Sequence, residues 1–182
     1  MSVPEPDLVA RAQRGDAAAF GGLYERYLDG IYRYVYYRVS DHDEAEDMTE
    51  TVFLKAWEAL PRFRSNGSTF RAWLYRIAHN AIVDRYRTRK MVVSLEQALD
   101  VRDAETASPE AAAEAKQESA RLGTALSELN PRLQEVILNR FVNGLSHAET
   151  AQVMGLREGH VRVLQHRALK EMRDLLTEGL EL

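Results

Sequence analysis

Apolar side chains in this chain recur at intervals of three and four residues almost from end to end. Gly and Pro fall where those stripes stop, and no stretch alternates with the two-residue period of a strand between hairpin turns. That pattern excludes a sheet and predicts an all-α protein. After a short helix from about Asp7 to Gln13, ended by Gly15, the stripe of Phe20, Leu23, Tyr24, Tyr27, Ile31, Tyr34 and Val35 marks a long helix opening at Asp16. Ser40 with Asp43 three residues later resembles a capping box. It predicts a third helix whose Ala45, Met48, Val52, Phe53, Ala56, Trp57 and Leu60 face inward until Pro61 stops it. Phe63 to Thr69 reads as a loop, followed by a fourth helix from about Phe70 to Lys90.

From Met91 to about Ser119 the composition turns to Ala, Glu, Asp and Ser with Pro109, as in a mobile tether. Helices near Arg121 to Leu129 and Arg132 to Val142 come next, the second broken by Asn143 and Gly144. The expected organisation is two small helical domains joined by an acidic flexible linker: an N-terminal helical bundle over 1–90, the linker over 91–120 and a helix-turn-helix domain over 121–182.

The chain has no Cys, which excludes a disulfide scaffold, a thiolate metal site and a Cys nucleophile, and fits a reducing compartment. No apolar run approaches the roughly 18 residues that span a bilayer, and Met1 to Pro6 lacks the basic and apolar segments of a signal peptide. A cytoplasmic protein without membrane insertion is expected. The formal net charge of −4 argues against a nucleic-acid partner only while it is taken whole. Residues 1–60 hold 6 basic and 12 acidic side chains, whereas 61–90 hold 8 basic and 1 acidic. Residues 91–130 return to 3 basic and 8 acidic, and 131–182 hold 7 of each. Charge sorted this sharply points to several surfaces with different partners.

Between Leu145 and Leu176, Ser146 and Glu149 form a capping box, and Ala151, Gly155 and Val161 have the spacing of a helix-turn-helix. The small residue lets the second helix approach, the Gly takes a positive-φ turn, and the apolar residue packs the second helix back. That helix, from about Glu158, would bury Val161, Leu164, Ala168, Leu169 and Met172. It leaves His160, Arg162, Gln165, His166, Arg167 and Lys170 on its other sides, with Arg157 just ahead of it. Arg and Gln read guanine and adenine edges in a major groove, and Lys170 and Arg173 suit phosphates. A helical hairpin with a solvated face would show the same pattern. His147, His160 and His166 have no carboxylate or Cys partners at ligand spacing, so no metal or other cofactor is expected.

In the basic segment Arg62, Arg64, Arg71, Arg76, Arg85, Arg87, Arg89 and Lys90 interleave with Phe63, Phe70, Trp73, Tyr75 and Tyr86. Cations beside planar rings are what single-stranded nucleic acid adds to the needs of duplex DNA. Phe70, Trp73, Leu74, Ile77, Ala81 and Ile82 also read as a core face. Arg76, Asn80, Asp84 and Arg87 form one polar face by their spacing, either base-reading or a surface network.

Read in order, Ala45-Glu46-Asp47-Met48-Thr49-Glu50-Thr51-Val52-Phe53-Leu54-Lys55-Ala56-Trp57, the run Phe70 to Arg87, and the stretch from Leu129-Asn130-Pro131 to His166-Arg167-Ala168 resemble a bacterial RNA polymerase sigma factor of the extracytoplasmic-function (ECF) type. The resemblance implies a transcription initiation factor that binds core polymerase, with no catalytic residues of its own. It implies that Asp43, Glu46, Asp47, Glu50, Phe53 and Trp57 meet the β′ clamp. Arg62, Arg64, Asn66, Arg76, Asn80, Asp84 and Arg87 would open and read promoter DNA at the minus-ten element. Arg157, His160, Arg162, Gln165, His166, Arg167 and Lys170 would read the minus-thirty-five element while that domain meets the β flap. An anti-sigma factor that clamps both domains is a further partner the family brings into view. The chain departs from the family where Glu50-Thr51 replaces Gln-Glu and where the second helix-turn-helix helix lacks its usual Ser cap. The competing reading is a stand-alone dimeric helix-turn-helix regulator with an N-terminal sensor domain, which leaves the basic aromatic helix unexplained. An enzyme is not expected, for want of a phosphate-binding Gly loop, paired metal ligands or a nucleophile with a base.

Overall fold

The structure, a computed structural model, describes residues 3–65, 67–88 and 121–178. Every regular element among them is helical, in two domains. In the N-terminal domain α1 (Glu5–Ala12) packs Leu8, Val9 and Ala12 onto α2 (Ala17–Val39), followed by α3 (His42–Ala59), a 3-10 turn (Leu60–Arg62) and α4 (Phe70–Thr88). In the C-terminal domain α5 (121–128) leads to α6 (Pro131–Ile137), a π turn (Leu138–Val142), α7 (His147–Met154) and α8 (Glu158–Glu178). The expected linker lies outside the described residues.

The predicted stripes are the core. Leu23, Ile31, Tyr34 and Val35 of α2 meet Ala45, Val52 and Ala56 of α3 and Leu74, Ala78 and Ile82 of α4, all nearly inaccessible. Each such aliphatic side chain contributes about 1.5–3 kcal/mol by leaving water. Asp16 caps α2 by accepting from the Ala19 N–H at 3.0 Å, as the sequence implies.

Three local expectations are corrected. Ser40 does not open α3: it sits at φ 56 and closes α2, while Asp41, in extended backbone, accepts from the Glu44 N–H at 2.8 Å. Two helices meeting at a corner need a left-handed residue to end one and an extended residue to cap the next, so the cap moves on by one. The helix drawn through Val142 changes to π geometry after Ile137, where the Asn143 N–H reaches back five residues to the Leu138 carbonyl at 2.8 Å. Leu169, expected inside, is 44% exposed on the outer side of α8.

Candidate nucleic-acid and polymerase interfaces

The helix-turn-helix is built as its spacing requires. Ser146 accepts from the Glu149 N–H at 3.1 Å and Glu149 accepts from the Ser146 N–H at 2.8 Å, so two otherwise unpaired donors are met at the start of α7. Gly155 ends α7 at φ +65°, and Ala151 and Val161 are buried where the two helices cross. Burying Val161, Leu164 and Ala168 turns Arg162, His166 and Lys170 outward together with His160 and Arg167, all exposed; Arg157, also exposed, stands ahead of the helix. Arg162 is held by Glu158 one turn earlier. Gln165 is only half-buried and accepts from Arg140 Nε at 2.9 Å. Arg140 also donates to the Leu145 carbonyl, so it ties the π turn to α8 and orients Gln165, a role no sequence motif signalled. Val163, 52% exposed, places an apolar group among these polar ones.

On α4, Arg76, Asn80 and Asp84 are exposed at successive turns, opposite Leu74, Ala78 and Ile82. The backbone of Arg87 continues that line, but its side chain lies outside the described residues, as does Asn66. Trp73 is half-buried between Phe63 at 4.9 Å and Phe70 at 5.5 Å between ring centroids, so these rings brace the loop 63–69. Arg62, at the end of the 3-10 turn, and Arg64, on that loop, are exposed, and Arg64 Nη1 donates to the Pro61 and Phe63 carbonyls.

On α3, Asp43, Glu46, Asp47 and Glu50 form an exposed acidic face. Phe53, expected in the same group, is 5% exposed and packs on Tyr24 at 4.6 Å, because it shares the inward side with Val52 and Ala56. Its inward phase was already legible in the apolar stripe. Trp57 is half-buried against Phe20 at 4.9 Å. The apolar group that α3 does offer is Leu54, 60% exposed one turn beyond Glu50, which the sequence reading passed over.

One cluster was not anticipated. Glu135 of α6, 4% exposed, projects into a socket of the other domain. There Tyr34 donates to Glu135 Oε1 at 3.3 Å, Arg38 Nη1 stands 3.5 Å from Oε2, and His79 Nδ1 contacts Oε1. Neither nitrogen meets a well-aligned hydrogen-bond acceptor; both meet Glu135 as a charge. Burial pushes the Glu135 carboxyl up, but the close contact with His79 and the charges of His79 and Arg38 outweigh it and hold it below its ordinary value. Burial drives the Tyr34 phenol well above its own. Among the described residues no three His, Asp or Glu side chains converge to hold a metal ion, and no helix is long and apolar enough to cross a membrane.

A helix-turn-helix in one domain and a helix with an exposed polar face in the other place the chain in the class of DNA-binding transcription factors. Its relatives narrow the class. Residues 23–91 match the family model for sigma-70 region 2, and residues 125–174 match that for sigma-70 region 4. The chain is 42% identical to the ECF RNA polymerase sigma factor BldN of Streptomyces coelicolor over 94% of its length, spanning 66% of that relative. It is 35% identical to the ECF sigma factor SigD of Mycobacterium tuberculosis, covering 92% of this chain and 81% of that one. A solved structure of CnrH in complex with the cytosolic domain of CnrY superposes with a TM-score of 0.72 at 29% identity, covering 94% of this chain and 96% of that one. The chain belongs to the ECF RNA polymerase sigma factors, initiation factors that direct polymerase to promoters and are not enzymes in the usual sense. The stand-alone regulator is not favoured, since the same match that covers the helix-turn-helix extends through the basic aromatic helix.

Proposed function

We propose that residues 1–90 bind core polymerase and the minus-ten element, that 121–182 bind the minus-thirty-five element, and that 91–120 connect them. The observation that carries this reading is α4: one side is core, and the other exposes Arg76, Asn80 and Asp84 in line beside a loop braced by Trp73. Such a face suits an extruded base, because a guanidinium and an amide can meet its edge while unstacking costs a few kcal/mol. Capture and melting then become one event, with no hydrolysis of a nucleotide. The acidic face of α3, with Leu54 and the partly open Trp57, docks on the β′ clamp; Phe53 supports it from inside. The outward side of α8 enters the major groove through Arg162, His166 and Lys170, with Arg157, His160 and Arg167 at its margins and Gln165 positioned by Arg140. The other side of that domain meets the β flap.

The cell compartment is the cytoplasm, at the nucleoid. The CnrH structure contains the cytosolic domain of CnrY, and an anti-sigma protein acting on both domains here is the corresponding proposal. Run-off transcription with purified core polymerase on a promoter library tests the central claim. Specific initiation is expected, lost with Asn80→Ala and with Arg76→Ala while core binding persists. Duplex operator binding by the chain alone, with no association with core, would overturn it.

A further inference from the structure

The two domains do not sit apart. At one end of their contact Glu135 is buried in the socket of Tyr34, Arg38 and His79. At the other, α7 lies across the loop 63–69 and the start of α4. Gln152 Nε2 donates to the Gly67 carbonyl at 2.6 Å, and Thr69 donates to Glu149 Oε1 at 2.7 Å. Arg71 approaches the backbone of Gly144 so closely that a Cβ there would stand 3.1 Å from its guanidinium.

We propose that Glu135 is an interdomain latch that holds the free chain closed, with α7 seated on the loop that must receive the minus-ten strand. A glutamate this buried is explained by nothing in its own domain, since all three partners belong to α2 and α4. Removing the socket would leave a carboxylate on the surface of α6, so the charge specifies where the C-terminal domain docks. The closed form also cannot serve a promoter. Elements centred about 25 base pairs apart lie roughly 85 Å apart at 3.4 Å per base pair, whereas here the loop and the helix-turn-helix are within hydrogen-bond distance. Opening must therefore precede reading of both elements. The closed form seats α7 against Gly67 and Thr69 at one side of the loop and leaves Arg162, His166 and Lys170 of α8 exposed.

The consequence for DNA rests on the reading of loop 63–69 as the minus-ten contact, while closure itself does not, and the experiment separates the two. The chain has no Cys, so Glu25→Cys and Thr177→Cys place two spin labels on exposed sites of α2 and α8 in the full-length protein. Pulsed electron resonance should give one narrow distance distribution, replaced in Glu135→Gln by a broad one with longer components. Gln152→Ala, at the far end of the interface and outside the socket, should populate the same long component without touching a buried charge, and circular dichroism confirms that both variants fold. In parallel, a fluorescent single-stranded minus-ten oligonucleotide should bind Glu135→Gln at least about tenfold more tightly than the parent. Two results each overturn the latch: a broad distribution already in the parent, or the parent's narrow one retained in Glu135→Gln; opening with no gain in oligonucleotide binding overturns the blocking of the minus-ten contact by α7. Failure of the sigma reading would show differently, as absence of core-dependent transcription by parent and variants alike.

Discussion

Two glycines four residues apart in the helix-turn-helix should respond to alanine with opposite signs. Gly155 ends α7 at φ +65°, and Gly159 lies in the first turn of α8; a Cβ built at either meets nothing within 4 Å. With no steric term at either site, only the backbone differs. Alanine in the left-handed region costs about 1–2 kcal/mol, offset by about 0.4–1 kcal/mol because the unfolded chain loses freedom. Gly155→Ala should therefore destabilise by about 0.8 kcal/mol, within a span of about 0–1.6 kcal/mol, and Gly155→Asn by less, since Asn tolerates that region. Gly159→Ala should stabilise by about 0.5–1 kcal/mol, the helical advantage of Ala over Gly. Urea titrations of the parent and three variants, followed by circular dichroism, measure the differences. Each kcal/mol corresponds to about 4–8 °C in melting temperature for a unit of 60–100 residues. The reasoning fails if both alanine variants shift the same way, or if Gly155→Ala loses more than about 3 kcal/mol, which would mean a clash.

Closure should also depend on pH in one direction. Glu135 is faced by Tyr34 and Arg38 from α2 and by His79 from α4, and its carboxyl is held below its ordinary 4.5 in the closed form. A lowered carboxylate contributes stability that is complete above the ordinary value and is lost as pH falls through the lowered one. Of the bonds that hold the Glu149 carboxyl down against burial, those from Ser146 belong to its own domain and only that from Thr69 crosses the interface, so Glu149 adds to closure with the same sign through Thr69 alone. The labelled distance distribution should stay narrow from neutral pH down to about 4.5 and broaden below it while helicity remains; broadening already above pH 5 would contradict it. A separate expectation concerns Val163, exposed on the outward side of α8. Apolar groups in a major groove read the thymine methyl, so replacing thymine by uracil in the minus-thirty-five element should weaken binding by the parent at one position and not by Val163→Ser. Equal losses in both chains would exclude that contact.

What the sequence disclosed and what it hid divide along one line. Features made within a helix or across one turn were readable: the Asp16 cap, the Ser146 and Glu149 box, Gly155, and the inner faces of α2, α3 and α4. So was the family, because its motifs are contiguous. Phe53 shows local physics at work, for its place in the apolar stripe set its burial. Ser40 and Asp41 show the resolution limit, since either could cap and only the angle between helices decides. Glu135 was not readable at all. It lies off the line of Leu133 and Ile137, as a solvated residue would, and is buried only because another domain covers it. Leu54 and Leu169 are the converse: apolar residues in helical register that nothing among the described residues covers.

A buried ion pair is a weak fastener, and that weakness suits a latch. Desolvation of Glu135 and Arg38 cancels most of their attraction, so the socket fixes the docked position more than it tightens it. A closed form favoured by 99 to 1 needs only about 2.7 kcal/mol, yet it lowers apparent affinity for a strand that requires the open form about 100-fold. Polymerase bound with nanomolar affinity, about 12 kcal/mol, can supply that difference from a small part of its contact. The acidic face of α3 is exposed in the closed form, so docking there need not wait for opening. The 32 residues between 88 and 121 then suffice for the separation, since a fully extended chain of that length reaches about 105–115 Å against the roughly 85 Å between elements. Docking before opening makes a kinetic statement: Glu135→Gln should leave the rate of association with core polymerase unchanged and slow dissociation, because the open form is the one the complex retains.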